Sequence, residues 1–141
     1  EFWASDSAQA KFKSPYEYVV SALRLADVTI ADPRPVAGLL AQLGMPLYGC
    51  QTPDGYKTTS DAWLNPDAMT RRVNFATALG AGRTRIANPD MAPDSATPLD
   101  ADHLIAALGG DVTPKTVAAV NAAPRPLKAA LVLGSPEFMT R

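Results

Sequence analysis

Two carboxylates, Asp54 and Asp61, share one short stretch of the chain with Tyr48, Gln51, Tyr56, Trp63 and Asn65. Flat aromatic faces beside hydrogen-bonding groups hold polar ligands that have apolar faces, such as a sugar. A carboxylate pair is also what general acid–base chemistry needs. Tyr48, Asp54, Tyr56, Asp61 and Trp63 are therefore the candidate ligand-binding residues. Tyr56 and Trp63 are expected on either side of one concave surface, with Asp54 or Asp61 at its edge. The same residues also have a plain structural reading. Pro53 fits the second position of a β-turn, Asp54 can bond its own backbone and Gly55 tolerates positive φ. The aromatics would then simply anchor the loop on the helices, and Asn65, directly before Pro66, would be a helix N-cap.

Other chemistry finds little support in residue types and spacing. His103 is the single histidine, and of its acidic neighbours Asp100 and Asp102 only Asp100 could share its helix face. A metal site needs further ligands that no spacing supplies, so no metal and no cofactor are expected. Cys50 is the only cysteine, which excludes an intramolecular disulfide and a cysteine-rich zinc site, and no base stands near it to activate the thiol. Gly134-Ser135-Pro136 lacks the second glycine of a nucleophile elbow, and its serine reads as a helix cap. Leu108-Gly109-Gly110-Asp111 ends a helix rather than opening one, so it is not a phosphate loop. Arg71, Arg72, Arg83 and Arg85 form a local basic cluster of a kind that can hold an anion, but it reads first as a solvated helix face and its following loop.

At 141 residues, with 47% apolar and 19% charged residues, the chain is globular and large enough for one hydrophobic core. A net charge of −1 leaves no basic excess to neutralise a phosphate backbone, so nucleic acid is not an expected partner. Apolar runs such as Ala129–Leu133 fall far short of the roughly 20 residues that cross a bilayer. Glu1-Phe2-Trp3 opens the chain without the basic and apolar regions of a signal peptide, which says nothing about its compartment.

The elements that must position these residues carry written starts. Ser14-Pro15-Tyr16-Glu17 is a capping box, followed by Tyr16, Val19, Val20 and Leu23 at the spacing of a buried helical stripe. Asp32-Pro33 starts a second helix with Val36, Leu39, Leu40 and Leu43 on one face and Gly44 as its stop. Asn65-Pro66-Asp67 starts a third, continued by Met69, Val73 and Ala76, braced by Asp67 with Arg71 and closed by Gly80. Residues 81–99 lose periodicity and read as a surface connection. Asp100 caps a helix through Leu104, Ile105 and Leu108. Thr113-Pro114 caps another with Val117 and Val120. The last places Leu127, Ala130, Leu131 and Phe138 near one stripe, interrupted at Ser135-Pro136. Helices are thus predicted at roughly 14–27, 33–43, 66–79, 101–108, 114–122 and 127–134. The fold class is all-α: an irregular bundle of five to seven short helices with a long ordered loop, in a single domain.

Three landmarks carry a family resemblance. They are Phe12-Lys13-Ser14-Pro15-Tyr16-Glu17-Tyr18-Val19-Val20-Ser21-Ala22-Leu23-Arg24, then Leu43-Gly44-Met45-Pro46-Leu47-Tyr48 with Thr52-Pro53-Asp54-Gly55-Tyr56 and Trp63, then Ser135-Pro136-Glu137-Phe138. Together they resemble the C-terminal part of the bacterial "domain of unknown function 1800" family, and Lys57 and Cys50 depart from its usual loop. The resemblance implies a mostly helical, exported protein, periplasmic or extracellular, of which this chain is the C-terminal portion. The missing N-terminal part would be its first partner. It brings no catalytic residues with it. Three readings follow: a helical module whose loop at 48–65 meets a ligand, a polysaccharide or a protein partner; part of a hydrolase acting on an envelope or extracellular polymer, with Asp54 and Asp61 as its carboxylate pair; and a purely structural packing module.

Overall fold

The structure is a computed structural model that describes residues 11–84, 86, 97–110 and 112–140. Among these residues it is all-α. Seven helices run in the order α1 (Pro15–Leu25), α2 (Arg34–Gln42), α3 (Pro66–Gly80), α4 (Ala101–Ala107), α5 (Pro114–Ala122), α6 (Arg125–Leu133) and α7 (Pro136–Met139), with one 3-10 turn at Ser60–Ala62. The only strand-like feature among them is an isolated antiparallel bridge between Phe12 and Thr140.

Local chemistry sets the helix starts. Ser14 and Glu17 form the reciprocal capping box, with the Ser14 amide donating to Glu17 Oε2 at 2.8 Å. The Asn65, Asp100, Thr113 and Ser135 side chains each accept an amide of the following first turn. Each bond satisfies one of the donors that a helix N-terminus leaves open. Asp32 works one residue earlier than a regular cap: its carboxylate takes the Arg34 amide at 3.0 Å and the Arg34 guanidinium at 2.9 Å.

The predicted stripes hold at Val19 and Leu23 of α1, Leu40 of α2, Ala76 of α3, Leu104 of α4 and Val120 of α5, which are buried, while α1, α3 and α6 are each turned in part. In α1 Tyr16 is exposed, and Tyr18, Val19, Ala22 and Leu23 are buried. In α3 Val73 is exposed, and Ala68, Arg72, Phe75, Ala76 and Leu79 point inward. In α6 Leu127 and Leu131 are exposed, while Ala129, Val132 and Leu133 are buried. The reason for α6 is its crossing with α3, the most extensive helix contact in the fold. A Cβ on Gly80 would lie 2.7 Å from the Ala130 amide nitrogen and 3.2 Å from the Ala129 carbonyl carbon. So close an approach selects the small residues Gly80, Ala129 and Ala130 for the interface and turns Leu127 and Leu131 outward. Gly80 is the last residue of α3, as expected, and a packing glycine as well; the left-handed residue after the helix is Gly82, at φ +69°. Most of the expected surface connection at 81–99, including residues 87–96, lies outside the described residues. So do Arg85 and Asp111.

The first and third sequence landmarks meet. The Lys13 amide donates to Met139 O at 2.8 Å, and the Lys13 ammonium donates to Phe138 O at 2.6 Å while lying 4.1 Å from the Phe138 ring centroid. Tyr18 packs edge-on against Phe138 and Phe75, at 5.6 and 6.1 Å between centroids, and its hydroxyl donates toward the Leu133 carbonyl at 3.0 Å. Burial pushes the Tyr18 phenol above its ordinary pKa, opposed by the Arg72 charge. Much of what made the sequence recognisable is thus the closure of one core.

Candidate functional site

The loop between α2 and α3 begins where Gly44, at φ +85°, turns the chain out of α2. The Met45 amide returns to the Leu40 carbonyl at 2.9 Å. Residues 46–49 then form a tight turn in which the Gly49 amide donates to Pro46 O at 3.1 Å. Its third residue is Tyr48, at φ +58° and wholly exposed. A non-glycine residue in that left-handed region costs on the order of 1–3 kcal/mol, and it persists only where surrounding structure imposes it.

The imposing contacts lie further along. The Tyr56 hydroxyl donates to Pro46 O at 2.7 Å, and the Trp63 indole N–H donates to Lys57 O at 2.9 Å. The two rings lie against one another, 6.4 Å between centroids and tilted by 53°. Trp63 is 7% exposed. These aromatics therefore form the hinge pin of the loop and do not face each other across a cleft. Desolvation, with Cys50 beside it, pushes the Tyr56 phenol up. Between them the Thr52–Gly55 turn closes with the Gly55 amide on Thr52 O at 3.2 Å and Gly55 at φ +78°, as the residue types predict.

Of the candidate residues, the structure brings Tyr56 and Trp63 together and leaves Tyr48, Asp54 and Asp61 exposed on the outer surface. Asn65 caps α3 through Oδ1 on the Ala68 amide at 2.8 Å. The thiol of Cys50 is 3.5 Å from the Thr52 hydroxyl. His103 is exposed on the wall of an open cleft of about 560 Å³ that also carries Lys13, Arg24 and Asp27. Among the described residues no group of three His, Cys, Asp or Glu is placed to hold a metal ion, and no helix is long and apolar enough to cross a membrane.

The expected solvated basic cluster is corrected at its centre. Arg71 is exposed and pairs with Asp67 at 2.8 Å, but Arg72 is 0% exposed. Its guanidinium lies 4.5 Å from the Phe12 ring centroid and 5.0 Å from that of Tyr18, and its Nη2 donates to Lys13 O at 2.7 Å. Its Nε and Nη1 have no hydrogen-bond partner among the described residues. Burial pulls its pKa down, opposed by Tyr18. The available signal was spacing: Arg72, Phe75, Ala76 and Leu79 follow the i, i+3, i+4, i+7 pattern, in which an arginine stem packs as well as an aliphatic chain.

The geometry defines an all-α domain with one outward-facing loop, cross-braced by Tyr56 and Trp63, and no enclosed catalytic constellation among the described residues. A family model described as "Protein of unknown function (DUF1800)" matches residues 1–140, and the chain belongs to that family. No curated protein and no solved structure matches it.

Proposed function

We propose that this domain is a binding module, the C-terminal portion of a longer exported protein, whose loop at 48–65 meets a polymer or protein partner outside the cytoplasm. The observation that carries this reading is Tyr48. An aromatic side chain is held in solvent at positive φ by a loop whose other aromatics, Tyr56 and Trp63, are spent on fixing its shape. Large aromatics presented on a rigid support lose little entropy on binding and dominate contact energies. Asp54 and Asp61 are exposed hydrogen-bonding groups of the same loop.

Sedimentation of the full-length protein with isolated cell envelopes tests the reading. Tyr48→Ala should reduce the bound fraction about tenfold or more, with thermal stability unchanged. Sedimentation equal to the parent protein's would remove the loop from the binding surface.

A further inference from the structure

The turn that carries Tyr48 works against its own stability at one position. Its closing bond runs from the Gly49 amide to Pro46 O, so Leu47 and Tyr48 are its two central residues and form its tip. A Cβ on Gly49 would stand 2.8 Å from Pro46 Cγ, which selects glycine there. At residue 48, where φ +58° favours glycine or asparagine, the chain carries tyrosine instead. Tyr48 is wholly exposed and Leu47 is 46% exposed, and neither belongs to the core. Backbone strain kept for a side chain that adds nothing to packing points to a use outside the molecule.

The kind of partner follows from what stands around the tip. A sugar ring stacks on a laid-out aromatic platform with hydrogen-bonding groups beside it. The rings that could have joined Tyr48 in one are engaged elsewhere, Tyr56 on Pro46 O and the buried Trp63 on Lys57 O. A lipid surface suits the loop no better. Its exposed charges are one lysine, Lys57, against two aspartates, Asp54 and Asp61, which anionic headgroups repel. Two side chains also bury far less apolar surface than a myristoyl chain, which alone binds membranes only marginally. A convex tip of one aliphatic and one aromatic side chain matches a concave apolar pocket, and tyrosine is among the residues that dominate protein–protein contacts from such pockets. We propose that Leu47 and Tyr48 form a two-residue knob that inserts into an apolar pocket of a protein partner. This names the partner class of the binding module proposed above and rests on that reading.

Sedimentation of the full-length protein tests it with four probes: intact envelopes, protease-digested envelopes, vesicles of the extracted envelope lipids, and envelope polysaccharide freed of protein. Only intact envelopes should carry the protein down. Tyr48→Gly relieves the positive φ and should leave the melting temperature unchanged or raised, yet reduce the bound fraction about tenfold or more. Leu47→Asp should do the same to binding. Tyr48→Phe keeps the ring and should bind within about fivefold of the parent. Binding that survives protease digestion, or that appears on the vesicles or the polysaccharide, would overturn the protein partner while keeping the loop as a binding surface. Parental binding by Leu47→Asp, or a loss in Tyr48→Phe as large as in Tyr48→Gly, would overturn the apolar knob. Failure of the parent protein to sediment with intact envelopes would remove the binding module itself, and this inference with it.

Discussion

Glu137 Oε1 accepts the Thr113 hydroxyl at 2.6 Å, so the carboxylate of α7 closes the first turn of α5. The same oxygen takes the Thr113 amide at 3.2 Å and the Thr116 hydroxyl at 2.9 Å. Desolvation works to raise this carboxyl's pKa. The bonds from the Thr113 hydroxyl, its own backbone, the Thr116 hydroxyl and the Thr113 amide together outweigh it and hold the group at about 2, against an ordinary 4.5.

A pKa lower in the folded than in the unfolded chain stabilises the fold above the unfolded value and ceases to do so as pH falls through the folded one. The Glu137 contribution is therefore complete above about pH 4.5 and is lost between there and about pH 2. Melting temperature followed across that window should fall less steeply in Glu137→Gln than in the parent. Parallel curves would show that the carboxylate's charge does not matter to the clamp.

Arg72 is expected to behave as a core residue. Arg72→Ala removes its contacts with Phe12 and Tyr18 and its bond to Lys13 O. It should cost about 2–5 kcal/mol, the range of large-to-alanine core truncations. Arg72→Met keeps much of the volume without a buried charge and should fall between the two. Urea midpoints that put Arg72→Ala within about 0.5 kcal/mol of the parent, the usual size of a surface change, would return it to the surface.

Two glycines should respond with opposite signs. Gly80→Ala drives a methyl into the Ala129–Ala130 backbone and should destabilise by about 1–3 kcal/mol. Gly38, inside α2, has nothing within 4 Å of where its Cβ would stand. Gly38→Ala should therefore stabilise by roughly 0.5–1 kcal/mol through backbone entropy and helix propensity. Thermal melts of both variants giving the same sign would contradict the helix crossing described here.

Ser14→Ala loses the cap on the Glu17 amide and should cost about 1 kcal/mol. Leu23→Ala empties a buried site and should cost on the order of 2–5 kcal/mol. Denaturant midpoints in which Leu23→Ala is no worse than Ser14→Ala would mean that α1 buries another face.

The helix starts were legible because capping is local: Ser14, Asn65, Asp100 and Thr113 act on amides two or three residues away. Helix faces were less so. In α6 large Leu127 and Leu131 outrank Ala129 by hydrophobicity, yet the approach to Gly80 demands small residues, and that demand comes from a distant part of the chain. Arg72 was misread because charge concealed its place in the apolar spacing. In the loop, the turns at Thr52–Gly55 followed from residue type. The Tyr56–Trp63 contact and the positive φ of Tyr48 arise from closure across the loop, which no short window of sequence contains.

The pairing of Phe12 with Thr140 has a mechanical consequence. Tension applied between these two residues would bear first on their bridge and on the Lys13–Met139 bond, which would open from the edge inward. The Lys13 contact with Phe138 and the ring contacts of Arg72 form the second latch. Only after both gave way would force reach the α3–α6 crossing, so the fold's most extensive helix contact is shielded from tension by a fastening only a few residues wide.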